Sequence, residues 1–321
     1  MKAPRIKIGK RLVLLLFASA MLFTIQGVSV SAETTKQPAS AWKIIIDNPQ
    51  HHCAKRDGDA DITEWSYIYF GSYPQTEVTG IALTLAITGA TYDRNGDAWV
   101  NGQKYRRISK SDTNFDGDFG NQAYRYFKWE RIKWRVLQDN GSTLFVAADK
   151  GLDCRDYHEQ YVLPDMMIEL NSITWECCTL RNWLNTSFYD MAFSVREQEA
   201  IVEQDVINED NPDYGTAGGV NTNDKLYLLS IGEMTNPAYG FCDAYTVSSA
   251  SRRLQASDYA NARGVRIDMF GDYKGACDYW LRSPGDETYS AARVPYNGCV
   301  DIGGRVSYGG LAVVPAMHIR R

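Results

Sequence analysis

Histidine is scarce in this 321-residue chain, with four copies at His51, His52, His158 and His318. The sequence has no G-x-S-x-G nucleophile elbow, no H-E-x-x-H zinc pair and no phosphate-binding G-x-x-x-x-G-K. No motif therefore nominates a Ser/His/Asp hydrolase, a zinc protease or an NTPase. Lysine and arginine are scattered and the net charge is −5, so there is no basic stripe of the kind that nucleic acid requires. Internal repeats and low-complexity tracts are missing too. Beyond Ile25 no apolar run reaches the ~20 residues needed to span a bilayer.

What the chain does have begins at its start. Lys2, Arg5, Lys7, Lys10 and Arg11 precede an apolar core from Leu12 to Ile25, and Val30-Ser31-Ala32 resembles a small-residue cleavage site. Residues 1–32 are read as a secretory signal, which predicts an exported mature chain from Glu33, secreted or associated with a cell surface and without a membrane span. An uncleaved membrane anchor is the alternative, against which the apolar run falls short of the ~20 residues of a span. Residues 33–64 are polar and aperiodic and read as a leader arm. Residues 65–321 read as a single domain, β-rich to residue 150 and carrying helices and C-terminal strands over 151–321. All seven cysteines lie after the signal. Export permits disulfides, the odd count leaves one thiol over, and Cys277 with Cys299 is a candidate pair. Buried free thiols are the alternative, and the connectivity stays open.

Periodicity marks the local elements. Tyr67, Tyr69 and the aliphatics of Ile81–Ile87 suggest early strands around a Phe70–Pro74 turn. Ile132, Trp134 and Val136 alternate with Lys133 and Arg135, Asp139-Asn140-Gly141 supplies a turn, and Leu144–Val146 returns, which predicts a hairpin over Trp129–Ala148 with Trp134 in the core. Leu180, Trp183 and Leu184 follow a helical spacing behind Thr179 as N-cap, and Ser194 with Glu197 forms a capping box opening a second helix through Ile201. Ser230 with Glu233 and Ser257 ahead of Gly264 mark further capped turns, around an apolar strand at Leu226–Leu229. Near the C-terminus, Tyr279–Arg282, Ala291–Val294, Val300–Ile302 and Leu311–Val314 alternate with Gly-rich turns, and Asn297-Gly298 favours a tight hairpin. These runs predict an antiparallel meander.

Two acidic turns carry a cation pattern. Asp112, Asn114, Asp116 and Asp118 match D-x-N-x-D-G ahead of a glycine, the logic of a calcium loop, although Ala123 stands where the bidentate Glu belongs. Asp93-Arg94-Asn95-Gly96-Asp97 is the weaker match. Asp, Asn and Gly are equally the residues of ordinary surface turns, so calcium is a possible cofactor and both readings stay open.

Several words taken together resemble one family. They are F-G-S-Y-P-Q-T-E (Phe70–Glu77), I-K-W-R-V-L (Ile132–Leu137), L-R-N-W-L-N (Leu180–Asn185), L-L-S (Leu228–Ser230), W-L-R-S-P-G (Trp280–Gly285) and a terminal V-V-P-A (Val313–Ala316). The set resembles a bacterial surface-protein family known as domain of unknown function 6273. The Gly-rich terminal strands behind short helices also resemble the C-type-lectin-like fold shared with formylglycine-generating enzymes. The resemblance implies an α+β, C-type-lectin-like domain. It places Ser283–Tyr308 at an exposed edge, with Asp286, Glu287, Tyr289, Arg293, Tyr296, Asn297, Asp301, Arg305 and Tyr308 as outward-facing ligand residues. Arg282 is expected to pair with a buried carboxylate instead.

The function expected on this basis is non-catalytic recognition or adhesion, with a glycan or protein ligand at a cell surface. An enzyme on the same scaffold is the alternative, either a glycan hydrolase or a formylglycine-type oxidase, and a cysteine-linked structural protein is another. Oxidase chemistry needs a close pair of active cysteines, and Cys277 and Cys299 stand 22 residues apart. Asp286 and Glu287 are adjacent, and neighbours on an extended segment point to opposite sides, unlike the facing carboxylates of a glycosidase.

Overall fold

A computed structural model describes residues 50–52, 62–113, 119–159 and 172–321. The signal segment, most of the leader arm and Cys53 lie outside these residues. In chain order, strand β1 (Gln50–His52) pairs antiparallel with β2 (Ile62–Glu64). Strand β3 (Tyr67–Glu77) leads to helix α1 (Ile81–Thr88), and β4 (Asp97–Val100), β5 (Gln103–Ile108), β6 (Arg125–Asp139), β7 (Thr143–Ala148) and β8 (Asp153–Cys154) follow. The helical part comprises α2 (Thr179–Trp183), a π-helical turn at Leu184–Phe188, α3 (Tyr189–Ala192) and α4 (Val195–Ala200). Next come β9 (Ile201–Val202), β10 (Gln204–Val206), β11 (Thr222–Asp224), α5 (Ile231–Met234) and α6 (Asp258–Ala262). The chain ends with β12 (Tyr279–Pro284), β13 (Ser290–Val294), β14 (Asp301–Arg305), β15 (Ala312–Val313) and β16 (Ala316–Arg320).

Two larger sheets form. The first has the order β4-β5-β6-β7-β16-β9, with β3 also paired to the long β6; the second runs β14-β13-β12-β15-β8. The fold is mixed α and β, with mostly antiparallel sheets and short helices. The hairpin of β6 and β7 forms as expected, with Trp134 fully buried and its indole N–H donating to the Phe70 carbonyl (2.8 Å). The C-terminal meander is antiparallel through β12, β13 and β14. Its last expected strand departs from that pattern, because β15 runs parallel to β12 and antiparallel to β8. At Val314-Pro315 the chain then leaves one sheet for the other, and β16 pairs with β7 and β9.

Other expectations are corrected locally. Ile81–Ile87 is helix, because Ala82, Leu83, Leu85 and Ala86 are good helix formers that have no sheet partner here. Cys178, not Thr179, caps α2, its sulfur accepting the Arg181 N–H. The capping box of Ser194 and Glu197 forms, but α4 stops at Ala200 and Ile201 opens a strand. Leu226–Leu229 is buried and contributes an isolated bridge from Tyr227 to Ala316. At Asn297-Gly298 only the glycine has positive φ (81°), closing a turn back to the Pro295 carbonyl instead of a two-residue hairpin.

The first word of the family set becomes intelligible in this frame. Gly71 sits at φ 64° and an added Cβ would lie 2.5 Å from the Phe193 ring, two reasons the position takes glycine, and its N–H donates to Glu197 (3.1 Å). The Tyr73 hydroxyl donates to Asp153 (2.7 Å), the Gln75 amide donates to the Glu130 and Arg131 carbonyls, and Glu77 holds Arg125 through two bonds. Asp153 is fully buried. Burial alone would raise its pKa, yet Arg263, Arg155, the Tyr73 hydroxyl and the Cys154 N–H hold it below the ordinary carboxylate range.

Candidate functional site

The nine residues expected to face a ligand divide into two groups along the β13–β14 pair. Ser290 stands opposite Arg305 at one end and Arg293 opposite Asp301 at the other. At the first end, the Asp286 carboxylate accepts the Ser290 hydroxyl (2.7 Å), which turns the Gly285–Ser290 loop inward; Glu287, Arg305 and Tyr308 are exposed and Tyr289 is half-buried. The glycine of W-L-R-S-P-G is required there, since a Cβ at Gly285 would lie 2.2 Å from the Ile302 carbonyl oxygen and 2.5 Å from Ser290.

At the other end Arg293, Tyr296 and Asp301 gather around Asp278, a residue that the sequence reading did not single out. Asp278 is 1% exposed. One carboxylate oxygen accepts the Tyr296 N–H (2.8 Å), and the other faces Arg293 at 3.8 Å and Arg266 at 3.9 Å. Burial pushes its pKa above the ordinary value, with the Tyr296 N–H and the two arginines opposing. Arg293 also pairs with Asp301 (2.9 Å), and the Arg266 guanidinium lies 5.9 Å from the centre of the Tyr296 ring. Asn297 uses its side-chain oxygen on the Cys299 N–H (3.0 Å), so its amide helps to shape the turn. An acid immediately ahead of β12, close to the register that pairs Tyr279 with Val294, was the available signal for Asp278.

Arg266 begins a hairpin, bridged by Ile267 and Cys277, whose tip the sequence reading also missed. The Asp268 carboxylate accepts the backbone N–H groups of Phe270 (3.2 Å), Gly271 (2.7 Å) and Tyr273 (2.9 Å). These bonds hold its pKa below the ordinary range. The turn so fixed presents Phe270 at 92% and Met269 at 56% exposure. Tyr273 lies under the Arg253 guanidinium at 4.8 Å, and Arg253 in turn reaches the Asn297 carbonyl (3.4 Å). Phe270 is thus carried by the same hairpin whose base meets Tyr296 and which Arg253 links to Asn297.

A separate cleft of about 430 Å³ opens beside Arg282. Arg282 pairs with a carboxylate, but with the partly buried Glu233 instead of the buried one expected, and it also donates to the carbonyls of Leu228 (2.8 Å) and Ile207 (3.1 Å). Glu233 is partly buried and closes the Ser230 capping box at the start of α5. The Tyr227 hydroxyl and His318 Nδ1 lie 3.1 Å apart, and His318 stacks on Phe145 at 4.6 Å. Burial lowers the His318 pKa and raises those of Tyr227 and Tyr239, so all three stay neutral near pH 7. Arg282 and Glu233 bond to the fold around them, and the cleft offers hydrogen-bonding walls.

Of the two acidic turns, that at residues 93–97 is described throughout, and the other at Asp112 alone among its four candidate ligands. The Asp112 carboxylate accepts the Ser109 N–H and hydroxyl (2.7 Å each) and closes its own turn, while Asn114, Asp116 and Asp118 lie outside the described residues. Asp93 accepts the Asn95 and Asp97 N–H groups, and the Asp97 carboxylate is taken up by Arg106, Lys104 and the Trp129 indole. Among the described residues no group of three or more His, Cys, Asp or Glu side chains converges as a metal site. Cys277 and Cys299 are free thiols rather than a disulfide, Cys277 buried in the core and Cys299 half-exposed.

The family model described as "Domain of unknown function (DUF6273)" matches residues 158–321, half of the chain. The chain belongs to this family. No curated protein and no solved structure matches it. The DUF6273 match includes α2, the Arg282 cleft, the Phe270 hairpin and all of β12–β16, and therefore every expected ligand residue. The words at Phe70–Glu77 and Ile132–Leu137 precede the matched span, yet the Gly71 N–H reaches Glu197 and the Trp134 ring lies 6.4 Å from that of Phe193, which ties both words to the DUF6273 part.

Proposed function

We propose that this DUF6273 chain is a non-catalytic recognition module, secreted or held at a bacterial surface, built on a C-type-lectin-like scaffold. It binds a glycan through the β13–β14 face and the adjoining Phe270 hairpin. Predominantly antiparallel sheets, short helices and a Gly-rich C-terminal part support the scaffold.

The observation that carries the reading is the Asp268 turn. An exposed phenylalanine forgoes about 1.5–3 kcal/mol of burial, and here it is held in that position by three backbone hydrogen bonds rather than by chance mobility. A fixed apolar tip loses little further freedom on association. Tyr273 belongs to the same hairpin, whose Arg266 lies over Tyr296, and Tyr296 and the Arg293–Asp301 pair gather around Asp278; together they supply ring faces and charged hydrogen-bond partners for hydroxyl groups. A glycan and mucin array probed with the full chain, with calcium and again with EDTA, tests this. Reproducible binding, weakened at least tenfold in Tyr296→Ala, is the expected result. Absence of binding in both conditions overturns the glycan reading and leaves a protein ligand as the alternative.

A further inference from the structure

Helix α1 is uncharged and turned outward. From Val78 to Tyr92 the sequence contains no Asp, Glu, Lys or Arg. Ile81 is 80% exposed and Leu85 70%, Leu83 and both alanines of the helix are exposed, and Trp99 on the neighbouring β4 is 67% exposed. One residue of the helix, Ile87, is buried, in a small cluster with Tyr105 and Tyr126 that fastens α1 to the sheet. A surface helix of a water-soluble domain normally places its charged side chains outward, so this arrangement is inverted.

Three hydroxyls of the segment are bonded within it. Thr84 Oγ1 donates to the Gly80 carbonyl (2.9 Å), Thr88 Oγ1 to the Thr84 carbonyl (2.8 Å) and the Tyr92 hydroxyl to the Ile87 carbonyl (2.6 Å). In water a hydroxyl has solvent for a partner; satisfying it within the helix removes the cost of placing it in a medium that cannot hydrogen-bond. We propose that α1 docks on a lipid bilayer, laying Ile81, Leu83 and Leu85 into the acyl boundary with Trp99 at the headgroup level.

Size selects the occupant. A stable protein interface takes roughly 20–30 residues from each side, and the exposed apolar residues of α1 together with Trp99 number six. Charged and Tyr/Arg anchors, which would give a protein partner its specificity, are missing from the helix. A bilayer requires neither. Eight residues fall well short of a span, so the helix lies in the interface. Because it lacks lysine and arginine, its affinity does not depend on anionic lipid.

The test uses the full chain and vesicles of phosphatidylcholine, alone or mixed with phosphatidylglycerol, with bromine-labelled acyl chains that quench nearby indoles. The proposal expects quenching with both compositions, persisting at high salt, lost in Trp99→Phe, and a partition coefficient at least tenfold lower in the Ile81→Ser/Leu85→Ser double variant. Both substituted positions are exposed, and near-ultraviolet circular dichroism verifies the fold. Absence of quenching, quenching unchanged by Trp99→Phe, or quenching confined to anionic vesicles at low salt overturns it. A concentration-dependent dimer abolished by the double variant also overturns it, in favour of a second copy of the chain as the occupant.

Discussion

Position, more than residue type, separates the cysteines. Cys177 is exposed, whereas Cys178 and Cys277 are buried, and burial pushes the Cys178 thiol up to about 12 and that of Cys277 higher still. In the native chain at pH 8, iodoacetamide should label Cys177 well before either of these two, and mass mapping of the alkylated peptides checks the order. Equal labelling would mean that the buried pair is accessible. Asp278 makes a similar point for the candidate site: its neighbours Arg293, Tyr296 and Asp301 were legible as outward-facing polar residues, but the carboxylate that organises them was not, because its burial depends on strands brought together from elsewhere in the chain. Phe270 was missed for the opposite reason. Its exposure depends on Asp268 capping three N–H groups, and the short spacing from Asp268 to Gly271 was the one sequence hint of that turn.

Glycines fix the joints between elements. Gly71 combines φ 64° with a close approach to Phe193, and Gly285 packs against the Ile302 carbonyl. Gly71→Ala and Gly285→Ala should each lower unfolding free energy by about 1–3 kcal/mol, measured by urea denaturation, while Gly141→Ala, where a Cβ meets nothing within 4 Å, should cost only the strain of φ 87°. Loss at Gly285 no greater than at Gly141 would contradict the packing account. Elements whose signals are local were readable: the β6–β7 hairpin from alternation and its turn, and the starts of α4, α5 and α6 from their caps. The parallel pairing of β15 with β12 and the crossing of β16 to the other sheet join residues distant in sequence, and nothing local encodes them. In Ile81–Ile87 the same aliphatics fit a strand or a helix, and the missing sheet partner decided between them.

Titration acts on the molecule as a whole. Burial lowers the pKa values of His158 and His318 from 6.5, so the unfolded chain binds protons first and stability falls as pH drops below about 6.5. Glu197 lies below its ordinary 4.5 and Asp97 and Asp153 below 3.8, because hydrogen bonds and arginine partners outweigh burial. Their contribution is present above those values and is lost as pH falls through the lowered folded-state ones. Asp156 and Asp278, raised by burial, oppose that second decline. The urea midpoint should therefore fall in two stages, and His318→Gln should flatten the first. A midpoint constant from pH 7 to pH 5 would contradict this.

The central claim is that recognition resides on the β13–β14 face and its Phe270 hairpin and not in the Arg282 cleft. The most direct measurement is glycan-array binding of the full chain compared with Phe270→Ala and with Tyr227→Phe, which removes one hydroxyl from the cleft wall. The account predicts a loss of at least tenfold for Phe270→Ala and unchanged binding for Tyr227→Phe. Full binding by Phe270→Ala together with loss in Tyr227→Phe would contradict it and move the site to the cleft.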